Sequence, residues 1–189
     1  MRLLLASASP RRADLLRSAG FDFEISPADV DESPHTGEEP RPYALRVATE
    51  KADVAASGCR DSGRAVLAAD TVVVARGQLL GKPRDASDAR RMLRSLAGAV
   101  HEVHTAVVLG TRARRVSDIV TTRVHLLPLS EREIDWYIQT GEPDGKAGAY
   151  AIQGCGSRFI DWIEGSWSNV VGLPVAAVYR LLKEMDELD

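Results

Sequence analysis

The chain has 189 residues, 44% of them hydrophobic, enough to bury the core of one α/β domain or of two closely joined lobes. A formal net charge of −3 and a pI near 5.8 argue against broad binding to nucleic acid or to an anionic membrane, and no apolar run is long enough to span a bilayer. The start, Arg2-Leu3-Leu4-Leu5-Ala6, imitates an export signal, but its apolar part is too short and Arg11-Arg12 follow at once, with no hydrophobic segment behind them. Cys59 and Cys155 match no metal or redox spacing, so reduced thiols in a cytoplasmic setting are expected.

In chain order, a short apolar strand at 2–6 leads into a helix at 9–19, with Ser9 suited to the N-cap and Pro10 to the first helical position. Arg11 and Arg12 then set two cations at the positive end of the helix dipole, unfavourable by about 0.3–1 kcal/mol each. A bound anion reverses that sign, so Ser7-Ala8-Ser9-Pro10-Arg11-Arg12 reads either as a phosphate cradle or as a solvated basic helix start. A strand at 22–26 precedes an acidic loop through Asp29, Asp31 and Glu32, followed by a helix at 40–57 that begins near Pro40 or Pro42. Residues 65–75 read as a strand with a turn at Arg76-Gly77, and Gly81-Lys82-Pro83 as a loop into a helix at 87–96 that Gly98 stops. Two long strands, 101–109 and 114–126, are joined by a turn. Ser130 and Glu133 form a capping box for a helix reaching Thr140. A glycine-rich stretch at 141–156, a short strand at 159–163 and a closing helix at 174–188, with Val175, Val178, Leu181 and Leu182 on one face, complete the chain. Long paired strands among helices indicate a mixed sheet.

The strand at 65–75 carries the strongest chemical signal. Asp70, followed by Thr71, interrupts a run that is otherwise apolar on both faces. An unpartnered buried charge costs several kcal/mol, at about the level of the whole stability of a small domain. Asp70 therefore faces a polar cleft, binds a cation, is neutralised by a lysine, or marks a local turn. The loop around Asp31-Glu32 offers a second carboxylate, and two carboxylates with substrate phosphates make a typical Mg²⁺ site. Of 24 basic residues only four are lysine, Lys51, Lys82, Lys146 and Lys183, which makes the first three candidates for compact contacts to phosphate. An exposed position is the ordinary outcome for a helix lysine such as Lys51, whereas Gly81 and Pro83 constrain the loop around Lys82. Gln153, with amide donors and an acceptor, suits either a base edge or local backbone. His101 and His104 are one residue short of zincin spacing, Gly154-Cys155-Gly156 is no dinucleotide fingerprint, and Ser166 has no evident base. Trp136, Trp162 and Trp167 are assigned to core or interface.

Taken in order, Leu5-Ala6-Ser7-Ala8-Ser9-Pro10-Arg11-Arg12, Val30-Asp31-Glu32, Glu50-Lys51-Ala52, Ala68-Ala69-Asp70-Thr71, Gly81-Lys82-Pro83 and the His101, Val103, Thr105 pattern resemble the Maf family of nucleoside triphosphate pyrophosphatases. The match continues with Lys146-Ala147-Gly148-Ala149-Tyr150, Ile152-Gln153-Gly154 and Gly165-Ser166-Trp167-Ser168-Asn169 through Pro174, so it spans nearly the whole chain.

The resemblance implies a single domain over 1–189 with an α/β, inosine-triphosphatase-like fold: an elongated, twisted mixed sheet flanked by helices, two lobes around a central cleft. It implies a cytoplasmic enzyme that uses Mg²⁺ or Mn²⁺ to cleave nucleoside triphosphates to monophosphate and pyrophosphate. No nucleic-acid or membrane partner is implied, and a homodimer is compatible with it. By position, Asp70 would be the catalytic acid, as general base, metal ligand or both, and Glu32 would help hold the metal. Ser7, Arg11, Lys51 and Lys82 would bind phosphates and steady developing charge. Arg12, Thr71 and Gln153 match the branch preferring dTTP and UTP. Two further readings are a housekeeping hydrolase of modified pyrimidine nucleotides and a nucleotide-binding regulator of septum formation. Three positions depart from the pattern: Gly145 where Asp is common, Trp167 where Tyr is common, and Cys155 after the Gln-Gly pair.

Overall fold

The computed structural model describes residues 3–59, 64–111 and 113–187, the side chain of Glu187 excepted. Arg2 and Leu188, expected at the ends of the first strand and the last helix, lie outside the described residues. The elements are β1 (Leu3–Leu5), α1 (Pro10–Ser18), β2 (Phe23–Ile25), α2 (Pro40–Gly58), β3 (Ala65–Ala75), β4 (Gln78–Leu80), α3 (Ala86–Leu96), β5 (Val100–Gly110), β6 (Arg115–Leu126), α4 (Glu131–Gln139), β7 (Ile160–Glu164), α5 (Trp167–Val171) and α6 (Val175–Glu187).

One mixed sheet runs in the order β2, β1, β3, β5, β6, β7, with β4 paired to β3. β1 is parallel to both neighbours, Leu3 beside Phe23 and Leu5 beside Leu67. Its three leucines are buried on both faces, as a parallel strand requires. β3 turns back into β4 through Arg76 and Gly77, both at positive φ, the conformation that matches the twist of a two-residue hairpin. The returning strand has three residues, too short to show an alternation, which is why only its turn was legible. At the far edge β7 pairs antiparallel with β6, with an irregularity between His125 and Leu126.

Local chemistry explains most helix ends. Pro40 opens α2, and the Asp85 carboxylate accepts the Asp88 N–H at 2.8 Å to cap α3. The expected capping box is present: the Ser130 hydroxyl accepts from the Glu133 N–H at 3.4 Å and the Glu133 carboxylate accepts the Ser130 N–H at 2.8 Å. Ser9 is a correction. It occupies the N-cap with extended backbone, but its hydroxyl makes no cap bond; its own N–H donates to the Ser7 hydroxyl at 3.2 Å.

The chain divides into two compact units, and the boundary falls inside β3, between Asp70 and Thr71. The first unit (1–70, 105–120 and 172–189) is built around Leu5, Leu16, Leu67, Leu109, Leu173 and Val178. The second (71–104 and 121–171) is built around Leu93, Leu96, Val124, Leu126, Ile134 and Tyr137.

The tryptophans are not core residues. Trp136, Trp162 and Trp167 keep 37%, 38% and 45% of their surface exposed. Trp162 lies on the edge strand β7, stacked on His125 at 5.5 Å, and Trp136 meets Phe159 edge-on with the Arg158 guanidinium 4.4 Å from its ring. For Trp136 and Trp162, exposed cation–π and stacking contacts thus take the place of full burial.

Candidate active site

Helix α2 explains how a lysine enters the interior. Its buried residues are Tyr43, Ala44, Val47, Ala48, Lys51, Ala52 and Ala55, the spacing of a single helical face. Lys51 falls on that stripe and is only 7% exposed. Its ammonium lies 2.8 Å from Asp70 Oδ1 and 2.6 Å from Glu32 Oε1. Asp70, also 7% exposed, sits inside β3, which excludes the local-turn reading. Neutralisation by a lysine, one of the ways open to a buried carboxylate, is present here.

The loop that brings Glu32 to Lys51 is held by the same helix. The Tyr43 hydroxyl donates to the Glu32 carbonyl at 2.6 Å, and the Arg46 guanidinium donates to the Ser33 carbonyl at 3.0 Å and to Glu38 at 2.7 and 2.8 Å. The Arg46 bonds and the His35 N–H hold the Glu38 carboxyl down at about 2. Burial, then the charges of Asp70 and Glu32, push the Tyr43 phenol up to about 12. Tyr43 and Arg46 escaped the sequence reading, although Tyr43, Val47 and Lys51 stand at successive i, i+4 positions of one face.

The cradle at the start of α1 is divided between its two arginines. Arg12 is buried. Its guanidinium donates to the Ser7 hydroxyl at 3.1 Å, the Ala69 carbonyl at 2.7 Å and the Gly172 carbonyl at 2.8 Å, tying α1 to β3 and to the approach of α6. Burial lowers its pKa, opposed by the charges of Asp70 and Glu32. Those bonds explain how the helix start tolerates one cation without an anion. Arg11 is half-buried, and burial lowers its pKa. Ser7, Arg12, Glu32, Lys51 and Asp70 are therefore gathered in the first unit, with Arg11 beside them in sequence.

Thr71, Lys82 and Gln153 belong to the second unit. Thr71 is half-buried on β3, and Gln153 is exposed just before a 3₁₀ turn at Gly154–Phe159. The loop of Lys82 is anchored by the Gly148 N–H, which donates to the Gly81 carbonyl at 3.0 Å. Gly148 has φ +71, and a Cβ there would stand 3.1 Å from Val73 Cγ1. Gly148→Ala is expected to destabilise the fold by about 2 kcal/mol from left-handed strain and crowding together. Thermal melting should show a fall of several degrees; an unchanged midpoint refutes the tight-contact reading.

His101 and His104 have separate partners: His101 Nε2 is 2.7 Å from the Tyr150 hydroxyl and His104 Nδ1 is 2.8 Å from Thr121 Oγ1. Among the described residues no group of three or more His, Cys, Asp or Glu side chains could hold a metal. Burial pushes His101 from 6.5 down to about 4, so it is neutral at pH 7. The unfolded chain binds this proton more tightly, so stability from His101 is present above pH 6.5 and is lost as pH falls towards 4. The loss amounts to about 3 kcal/mol across that window. Thermal midpoints measured against pH should flatten over that interval in His101→Gln; an unaltered slope removes His101 as its source.

Sheet order and helix placement define the class of fold first. Over 99% of this chain and 98% of the other, the structure superposes on the Staphylococcus aureus Ham1 protein with a TM-score of 0.56 at 14% sequence identity, a likeness of fold. The particular family follows from the sequence: the profile described as Maf-like protein matches residues 2–185, and the chain belongs to the Maf family. It is 54% identical over 187 residues to a protein of Anaeromyxobacter sp. (strain Fw109-5) named dTTP/UTP pyrophosphatase, covering 96% of this chain and 88% of that one. Relatives of the same name in Myxococcus xanthus (strain DK1622) and Geobacter metallireducens are 51% and 45% identical, covering 96% and 99% of this chain and 91% and 97% of theirs.

Proposed function

We propose that this chain is a nucleoside triphosphate pyrophosphatase that hydrolyses dTTP and UTP to the monophosphate and pyrophosphate, acting as one functional domain over residues 1–189. The observation that carries the reading is the cluster in which a buried lysine bridges Asp70 and Glu32 beside the buried Arg12. Nucleotide binding alone has no need of a carboxylate placed at such desolvation cost. Full-length similarity to relatives named for dTTP and UTP supports the choice of substrate.

Asp70 orients the attacking water and takes its proton as the new P–O bond forms, while the α–β anhydride bond breaks and pyrophosphate leaves. Lys51, Arg11, Ser7 and Lys82 bind the phosphates and offset the charge that develops on them. Thr71 and Gln153 contact the base. The resemblance assigns Arg12 to base selection; its bonds to Ser7, Ala69 and Gly172 support an indirect part, holding the Ser7 hydroxyl and the middle of β3 in place. Glu32 and Asp70, whose donors are all oxygen, would hold a hard divalent cation, Mg²⁺ or Mn²⁺. When bound, such a cation supplies charge neutralisation and polarises the phosphate. A cytoplasmic setting accords with the two free thiols and with the lack of a described helix long and apolar enough to cross a membrane.

The test is product analysis with a panel of triphosphates and Mg²⁺ or Mn²⁺. Pyrophosphate and monophosphate, formed fastest from dTTP and UTP, are expected. Orthophosphate with diphosphate sinks the reading, and saturable binding without any turnover favours the regulator instead.

A further inference from the structure

The glycine-rich loop that presents Gln153 is clamped on both sides by two groups from one short stretch of chain. After α4 the Glu142 carboxylate turns towards the loop. Its Oε1 accepts the Tyr137 hydroxyl and the Gly156 N–H, each at 2.8 Å, and its Oε2 accepts the Cys155 N–H at 2.8 Å. The Tyr137 hydroxyl, fully buried, in turn accepts the Ala151 N–H at 3.0 Å. Gln153 thus lies two residues after one anchored amide and two and three residues before two others, with its own side chain exposed.

The two glycines that flank Cys155 are explained by this clamp. A Cβ on Gly154 would collide with the Glu142 carboxylate, and one on Gly156 would come within 2.6 Å of the Tyr137 hydroxyl. Gly154 also has φ +65, where an L side chain is strained. Burial works against the charge on Glu142, but the Gly156 N–H, the Tyr137 hydroxyl, the Cys155 N–H and Lys146 together hold its pKa below the usual carboxylate value.

The geometry points to Glu142 and Tyr137 as positioning residues for base selection, an inference that rests on the reading of Gln153 as the base contact. A primary amide carries both donor and acceptor, so a freely turning glutamine serves a uracil edge and a cytosine edge equally well. It discriminates only when the loop fixes which end faces the base. The ionic clamp on Ala151, Cys155 and Gly156 supplies that constraint.

The experiment compares kcat/KM for UTP and CTP in Gln153→Ala, Tyr137→Phe, Glu142→Gln and the two doubles with Gln153→Ala, alongside amide hydrogen exchange of the loop. Tyr137→Phe and Glu142→Gln should each lower the UTP-over-CTP ratio by about tenfold, chiefly through KM for UTP, with kcat at saturating UTP nearly kept. Neither should lower the ratio further on the Gln153→Ala background, and exchange at Ala151, Cys155 and Gly156 should quicken. If Gln153→Ala loses selectivity while both clamp variants keep it, the inference is overturned and the clamp is structural only. Unchanged selectivity in Gln153→Ala itself overturns the base-reading role of Gln153, and the inference with it. Should Tyr137→Phe fail to fold, Glu142→Gln carries the same comparison.

Discussion

Asp70→Asn is expected to lower kcat by about a thousandfold or more while the protein stays folded and still binds UTP. Asparagine preserves the shape of the side chain, and its carbonyl oxygen can still accept the Lys51 hydrogen bond now made at 2.8 Å. It loses the charge and the ability to take a proton from water. General-base contributions of about 10²–10⁴ are typical, and on the proposed role of Asp70 as a cation ligand the lost charge adds to the effect. Because Lys51 keeps its ion pair with Glu32 at 2.6 Å, the melting point should move little. Steady-state kinetics with a pyrophosphate readout and calorimetric titration with a non-hydrolysable UTP analogue separate the two steps. Turnover within threefold of the unmodified protein removes Asp70 from the chemistry.

Lys51→Met should damage both stability and catalysis, for a different reason. Methionine fills the lysine stem and suits the apolar face of α2, but it leaves Asp70 buried without its cation. Removing one partner of a buried ion pair costs about 3–5 kcal/mol. The lower end applies, because Glu32 is more exposed and can turn to water. With the proposed phosphate-binding role of Lys51 lost, turnover should fall by about a hundredfold or more. The distinctive expectation concerns the pair. In the double variant Lys51→Met, Asp70→Asn the isolated buried charge is gone, so most of the lost stability should return while activity does not. Denaturant titration of the four proteins forms the cycle. Simple additivity of the two stability losses would show that Lys51 and Asp70 do not act as a pair.

The elements that came through most clearly in the sequence are those with strong local grammar. β3 spans 65–75 as expected, because an apolar run containing Thr71-Val72-Val73-Val74 and ending in Arg-Gly has few alternatives. The capping box of α4 and the proline start of α2 are chemistry between residues at most three apart. β4 and α5, at three and five residues, are too short to carry a period and were missed. The core half of the tryptophan expectation fails because a large apolar residue such as Trp162 reads the same in a core and on an edge strand under a guanidinium.

For the candidate site, composition and motif order by themselves singled out the candidates: Asp70 in an apolar strand, an acidic loop, few lysines, paired arginines before a helix. Tertiary structure decided what each of them touches. It turned Lys51 inward onto Asp70 and Glu32 across 19 residues in each direction of the chain, sent the Arg12 guanidinium to carbonyls 57 and 160 residues away, and gave Glu142 its place as the anchor of the Gln153 loop. The physical reason is common to all three. Patterns along a chain report propensity and period, which are local, whereas a buried charge is defined by its partners. Those partners are brought within hydrogen-bonding distance only when the sheet and its helices close around them.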